Sequence, residues 1–571
     1  MQIVTVNESN CIGCNACVRV CPVHANVTRL KEGTTDEFVT TIDSNACINC
    51  GECVKACMHH ARGYNDNIDE FTKMLENKEP MVVIVAPAVR TSFPNGAWRV
   101  LLSWIREHGN CKIYDVGFGA DICTYMHNEY MKRSGNSKKI VTQPCPAVVN
   151  YIQKYKPELI SYLSPVMSPA GCLAMWLKKY RGVKEPMFML SPCIAKTSEA
   201  AREKAFDYNV TFRHLEKYVI KKGLHWEQKA QFEFDELEGG IGRLYPMPGG
   251  LKETLQILNQ DLIIRNAEGP HTLYDRLERY AQTEDRKKPD VLDVLNCEFG
   301  CNQGTAVPET VANLMEVESI MDNISLSNAR EMHGGFLGIG RLKRFKEFDK
   351  TLSLTDFMTE YHSERVRQAV PTANDYLEIF HSMHKMDASE QAINCGSCGY
   401  KTCQDMAHAI FLGMNVKENC IHFLKHSLKD SYRKLRDVYG ACVAEVQEIG
   451  VVSQQVQESQ SEILDASTDI SDKAVKLSGN IARLQKLSET YLEQYQGKQV
   501  ETMTLEDFVK MQKFIAAIST MSKSYYDVAK EFEETSGNIQ HQIQSMTESV
   551  TNLSGISDGL QNVMLESAKN V

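Results

Sequence analysis

Residues 11–22, CIGCNACVRVCP, and residues 47–57, CINCGECVKAC, decide how this chain is read. Cys11, Cys14, Cys17 and Cys21 with Pro22 spell C-x2-C-x2-C-x3-C-P, and Cys47, Cys50, Cys53 and Cys57 repeat the spacing with Met58 where the proline would stand. Such short spacings let three thiolates and nearby backbone N–H groups wrap one face of an iron–sulfur cubane, while the fourth thiolate of each repeat crosses to the other cubane. The spacing predicts one [4Fe–4S] cluster on Cys11, Cys14, Cys17 and Cys57 and a second on Cys47, Cys50, Cys53 and Cys21. The plainer alternative is a zinc site or idle thiols.

The rest of the composition agrees with a soluble redox protein. The chain has 571 residues, 24% charged and 43% hydrophobic, with net charge −10; disorder is excluded and no basic nucleic-acid footprint is present. The longest apolar run, Met81–Val89, is too short to span a bilayer. No basic segment followed by a long apolar one opens the chain, so a cytoplasmic location is expected. The 20 cysteines are clustered, eight of them between Cys11 and Cys57 and four between Cys395 and Cys420. Clustered thiols in a reducing compartment point to metal. All 17 prolines lie at or before Pro371, and all four tryptophans lie between Trp98 and Trp226. The expected organisation is multidomain, α+β and α/β. A ferredoxin-like two-cluster domain covers 1–78, an α/β domain 79–370, a small cluster domain 385–430, and a helical coiled-coil or hairpin tail 431–571.

The first 78 residues resemble bacterial two-cluster ferredoxins, which move single electrons. In the middle block, Met81–Val85, Lys112–Val116 and Met187–Leu190 read as strands, the second followed by Gly117-Phe118-Gly119-Ala120-Asp121 and a helix. Functional loops are expected at the carboxyl ends of such strands. Cys145, Cys193, Cys297 and Cys301 fall at or near those positions, with separations of 48, 104 and 4 residues. Spacing alone leaves scattered core cysteines as an equal reading. However, APAVR, FGAD, T-x-x-C-P, P-C-x-x-K-x-x-E and C-x3-C, in that order after a two-cluster ferredoxin segment, resemble the [FeFe]-hydrogenase family over roughly residues 1–350. The resemblance implies an H-cluster, a [4Fe–4S] cubane joined to a di-iron unit carrying CO, cyanide and azadithiolate. Cys145, Cys193, Cys297 and Cys301 would hold the cubane, Cys301 would bridge to the di-iron unit, and Lys196 would hydrogen-bond a cyanide. Ala86, Pro87 and Ala88 would pack against the di-iron unit.

The departures from the family pattern matter equally. Pro144 stands where a proton-relaying cysteine is usual, and proline has no ionisable group. Ser191 and Leu295 align with two methionines usually found around the di-iron site. Only His127 and Glu129 are ionisable near the expected relay glutamates, and a solvent-facing histidine is the blander reading. The resemblance therefore implies H2 binding with slow turnover, since acid–base groups contribute on the order of 10²–10⁴-fold.

Cys395, Cys398, Cys403 and Cys420 form C-x2-C-x4-C-x16-C, which resembles a [4Fe–4S] domain of anaerobic redox proteins; zinc is the alternative. Beyond it, apolar residues recur at 3–4 spacing from Ile449 to Leu484 and from Phe532 to Met564, with Ser536 and Ser557 interrupting the second series and a break at 497–504. These patterns predict a coiled coil or hairpin, most simply a homodimer. The expected function is reversible conversion of H2 to protons and electrons at low turnover, as an H2 or redox sensor signalling through the tail to a protein partner. The alternatives are a working hydrogenase delivering electrons to a ferredoxin or subunit, and a non-enzymatic iron–sulfur scaffold. No nucleic-acid or membrane-spanning role is expected.

Overall fold

A computed structural model describes residues 2–34, 37–135, 138–227, 230–333, 339–459, Thr551 and Gly555. It divides into two compact units, residues 1–424 and 425–571.

The first unit opens with four short strands, β1 (Val4–Val6), β2 (Asn26–Leu30), β3 (Phe38–Ile42) and β4 (Arg62–Tyr64). β1 pairs antiparallel with β4, and β2 with β3. The cysteine repeats lie in the connections, where Gly13 and Gly51 take positive φ.

Seven further strands follow: β5 (Pro80–Val85), β6 (Asn110–Asp115), β7 (Ile140–Val141), β8 (Met187–Ser191), β9 (Tyr208–Thr211), β10 (Ile264–Glu268) and β11 (Val291–Leu295). They form two parallel sheets, of order β6-β5-β8-β9 and β10-β11-β7. β5 and β8 are apolar runs buried almost throughout, as strands covered on both faces must be. Phe71, Phe188 and Phe206 are among the fully buried side chains of the surrounding core.

The Gly117–Asp121 stretch, expected ahead of a helix, lies inside it. The helix Val116–Arg133 starts earlier because the Asp115 side chain caps it, accepting from the Gly117 N–H at 2.9 Å. Glycine is needed within the helix. A Cβ on Gly119 would stand 2.2 Å from the Pro169 carbonyl oxygen and 2.7 Å from Leu173 Cβ, so the helix Pro169–Tyr180 packs backbone against backbone here.

The helix Ile421–Ser459 begins in the first unit, and from residue 425 it is the long described element of the second. Ile449, Val452 and Val456 are described in their backbone alone, the apolar series from Ile463 onward and the break at 497–504 lie outside the described residues, and so does the side chain of Cys442.

Candidate metal centre

The four middle-block cysteines come together from two sheets. Cys145 caps the helix Pro146–Tyr155 just after β7, Cys193 follows β8, and Cys297 and Cys301 follow β11. Gly300 makes the last loop possible. Its φ is +69°, and a Cβ there would lie 2.1 Å from the Pro246 carbonyl oxygen. Burial pushes the Cys193 thiol up to about 12, with the charge of Cys145 adding to it. Burial likewise raises Cys301, aided by Cys193 and Cys145, and raises Cys297, aided by Glu52, Cys193, Cys301 and Cys145. The thiols thus share one electrostatic environment that disfavours bare thiolates, and a cationic group must accompany their ionisation.

No three cysteine sulfurs among the described residues lie within 4.8 Å of one another. Four thiolates on one zinc ion would stand about 3.8 Å apart, given Zn–S of ~2.3 Å. These sets are too wide for a single ion, and a polynuclear cluster is the group that fits.

In the N-terminal region Cys21 of the first repeat lies among the thiols of the second. Cys21 feels the charge of Cys47, Cys50 feels Cys21 and Cys53, and Cys53 feels Cys21 and Cys47. Cys17 feels Cys11 and Cys14, and it accepts a hydrogen bond from Arg62 Nη2 at 3.1 Å. Cys57 is half-buried after the short helix Glu52–Lys55. Cys395, Cys398, Cys403 and Cys420 line one cavity together with the fully buried Lys385. The Asn394 N–H points to Cys403 Sγ at 3.3 Å.

The sets adjoin in series. Gly51, between Cys50 and Cys53, is pressed onto the loop after Cys301: a Cβ there would meet Thr305 Oγ1 at 2.5 Å and Ile194 Cδ1 at 2.9 Å. Thr305 Oγ1 donates to the Cys50 carbonyl at 3.1 Å, and Asn296 Nδ2 donates to Glu52 at 3.0 Å. Buried Tyr274 feels Cys50, Cys145 and Cys297 at once. At the other end, a Cβ on Gly399 would stand 2.9 Å from Val18 Cβ, and Asn15 and Asn419 exchange amide hydrogen bonds at 2.7 and 3.1 Å. The C-terminal cysteine set therefore abuts the first N-terminal repeat.

Lys196 is buried beside this centre, and its charge lowers Cys145, Cys193 and Cys301 alike. Its Nζ donates to Glu199 Oε2 at 2.6 Å and Ser168 Oγ at 3.4 Å. Burial alone would lower the ammonium's pKa, but Glu199 holds it above the ordinary lysine range. An ammonium has three donors, so one remains for an anionic ligand. Ala86 and Ala88 are buried and Pro87 is half-buried at the end of β5. Pro144 offers no proton donor. Ser191 spends its hydroxyl on Asn209 Oδ1 at 2.7 Å and accepts from the Cys193 N–H at 3.3 Å, and Leu295 is core.

The two relay candidates separate. Glu129 pairs with Lys132 at 2.9 Å on the outer side of its helix. His127 is fully buried rather than solvent-facing, with Nε2 2.9 Å from Ser164 Oγ. Asp293, a lone acid in the apolar strand β11, was missed in the sequence although that contrast was its signal. Burial pushes it up to about 6, and it accepts from the Lys252 N–H at 3.1 Å and Thr142 Oγ1 at 3.2 Å. Glu199 was visible only as the last residue of P-C-x-x-K-x-x-E.

Four thiols at strand ends, adjoined by further cysteine sets, are a donor arrangement suited to iron–sulfur clusters. Residues 79–305 match the family described as "Iron only hydrogenase large subunit, C-terminal domain", residues 10–61 the "4Fe-4S dicluster domain", and residues 391–422 a family of Fe-S cluster segments. The periplasmic [Fe] hydrogenase large subunit of Nitratidesulfovibrio vulgaris is 28% identical over 283 residues, which cover 44% of this chain and 66% of that protein, just short of two thirds. Among solved structures, one variant of the [FeFe]-hydrogenase of Chlamydomonas reinhardtii is 16% identical with a TM-score of 0.41, and the apo form of another is 15% identical with a TM-score of 0.39. Each comparison covers 53% of this chain and 100% of the other. Over residues 79–305 this chain is similar to the iron-only hydrogenase large subunit, behind a segment similar to two-cluster [4Fe–4S] domains.

Proposed function

We propose that this protein binds H2 and converts it slowly and reversibly to protons and electrons, as an H2 or redox sensor with its output in the helical tail. The carrying observation is the quartet Cys145, Cys193, Cys297 and Cys301, buried or half-buried beside the buried Lys196, with proline at position 144. When bound, an H-cluster supplies reversible heterolytic splitting of H2. This chain's residues supply its surroundings. Cys145, Cys193, Cys297 and Cys301 would hold such a group through their thiolates. Lys196, anchored by Glu199 and Ser168, directs its remaining N–H at an anionic ligand. Ala86, Pro87 and Ala88 exclude water. His127 holds a proton in the interior, between Cys123 and Ser164. Pro144 removes the nearest proton acceptor, which lowers turnover while leaving binding intact.

The adjoining cysteine sets favour a second reading, a working hydrogenase that passes electrons outward to a protein partner. Infrared spectroscopy of matured protein tests the first element of both: CO and cyanide stretches are expected, and their absence defeats both readings in favour of a plain iron–sulfur scaffold. Turnover then separates the two, because a sensor evolves H2 slowly and a metabolic enzyme does so fast.

A further inference from the structure

Arg62 is a buried cation with no carboxylate of its own. It opens β4, just after the second cysteine repeat, pairs with Val6 of β1 and is 7% exposed. Its Nη2 donates to Cys17 Sγ at 3.1 Å and to the Thr40 carbonyl at 2.8 Å. Its Nη1 is buried and has no hydrogen-bond partner. Among the described residues no carboxylate forms an ion pair with it. A guanidinium stays protonated in proteins, so it cannot shed its charge as a buried lysine can. A buried charge with an idle donor calls for an anion. The cysteine sulfurs around it supply one when they are the thiolates of an iron–sulfur cluster.

The two N-terminal sets do not share this cation equally. Its charge lowers Cys17 of the first set and Cys21, Cys47 and Cys53 around the second cluster. Among the described residues, only the Cys17 sulfur receives its N–H. Around the second cluster the sulfurs receive neutral backbone donors, from Ala25 to Cys21 at 3.3 Å and from Asn49 to Cys47 at 3.4 Å. The cation on that side, Lys154, spends its ammonium on carbonyls, those of Cys47 at 2.7 Å and Asn45 at 2.9 Å. A hydrogen bond from a charged donor is roughly twice as strong as a neutral one. A cubane on four thiolates is anionic and becomes more so on reduction, so a cation bonded to its sulfur stabilises the reduced form and raises its potential. Tying β4 to β3 needs only the Thr40 bond. The bond to sulfur and the idle Nη1 are what a cluster adds a use for.

We propose that Arg62 sets the potential of the cluster on Cys11, Cys14, Cys17 and Cys57 above that of its N-terminal neighbour, making it the preferred resting place of an electron in this domain. The inference rests on reading these cysteines as [4Fe–4S] ligands and not on H2 being the substrate. The step is a one-electron exchange. The second cluster is oxidised as the first is reduced, no bond forms or breaks, and the guanidinium keeps its proton. Arg62 is thus a positioning residue for charge. The favoured cluster is also the one beside the C-terminal cysteine set, across the contacts of Gly399 with Val18 and of Asn419 with Asn15. An electron arriving from the middle quartet through the second cluster is drawn to that end.

The test is a reductive titration of the full-length, iron–sulfur-loaded protein followed by electron paramagnetic resonance. In Arg62→Gln the reduced-to-oxidised ratio of one [4Fe–4S] component, read at fixed potential, should fall roughly tenfold or more, a downward shift of about 59 mV per factor of ten. A second component should move less, and the others not at all. Arg62→Lys keeps the charge without the planar fork and should recover part of the loss. The proposal is overturned if Arg62→Gln, with wild-type iron and sulfide content, titrates on the wild-type curve, or if all components shift alike. Pulsed resonance of wild-type protein labelled with ¹⁵N-arginine decides the matter even if a variant loses its clusters. A guanidinium ¹⁵N coupling to a reduced cluster is expected, and its absence overturns the proposal. Wild-type protein with no [4Fe–4S] signal at all defeats the cluster reading itself, and this inference with it.

Discussion

Glu203 is an acid held from water beside another acid. Arg202 Nη2 pairs with its Oε1 at 3.0 Å, but Oε2 has no partner. Burial, then the charge of Glu199, pushes it up to about 7 from 4.5. A raised carboxyl pKa means that the folded state binds the proton more tightly than the unfolded state does. Its stabilising effect is complete below the unfolded pKa and is lost as pH rises through the folded one. Between pH ~4.5 and ~7 the wild-type protein therefore loses on the order of 3 kcal/mol from this group, and above pH 7 the loss is constant. Glu203→Gln should leave the thermal midpoint near the wild-type value at pH 4.5 and raise it at pH 8. A midpoint difference that does not change with pH would remove Glu203 as the source. At this same scale, Cys111 is only partly buried, belongs to no cysteine set and has its sulfur 3.8 Å from the Ile105 carbonyl. Cys111→Ser should leave the iron content of matured protein unchanged, as metal analysis can check.

Among the elements, the contact at Gly51 joins an N-terminal cysteine set to the middle one. Its φ is +84°, and the neighbouring Thr305 side chain and Ile194 leave no room for a methyl group. Gly51→Ala should lower stability by about 1–3 kcal/mol and part the two sets. Electron paramagnetic resonance of the reduced protein should then show weaker coupling between neighbouring clusters. The elements also show how far the sequence could be read. β5 and β8 were legible because β-branched and apolar runs buried on both faces need no partner to be recognised. The N-terminal and C-terminal cysteine sets were legible because local spacing carries the chemistry. The middle quartet was not, since strand crossovers separate its members, and only the family resemblance joined them. The start of the helix at Val116 escaped the reading because the Asp115 cap and the backbone packing at Gly119 are tertiary facts. The burial of His127 escaped it as well, because its partner Ser164 lies 37 residues away.

For the whole molecule, the sixteen cysteines in four sets lead to an expected content of roughly 18 iron atoms per chain when a di-iron unit is present. Ten or fewer in matured protein would contradict this count. The division after residue 424 leads to a second expectation. Deleting residues 430–571 should preserve the infrared signature of the metal centre while abolishing self-association measured by light scattering. Loss of that signature would make the tail a structural support. No described helix is long and apolar enough to cross a membrane.

The paired amides of Asn15 and Asn419 set a clock on biosynthesis. They are 404 residues apart, so this contact cannot form until the chain is nearly three quarters made. At roughly 5–20 residues per second, the first cysteine repeat waits on the order of 20–80 s on the ribosome before Gly399 and Asn419 arrive to cover Val18 and Asn15. During that interval the first cysteine repeat stays open on the side that the C-terminal segment later covers.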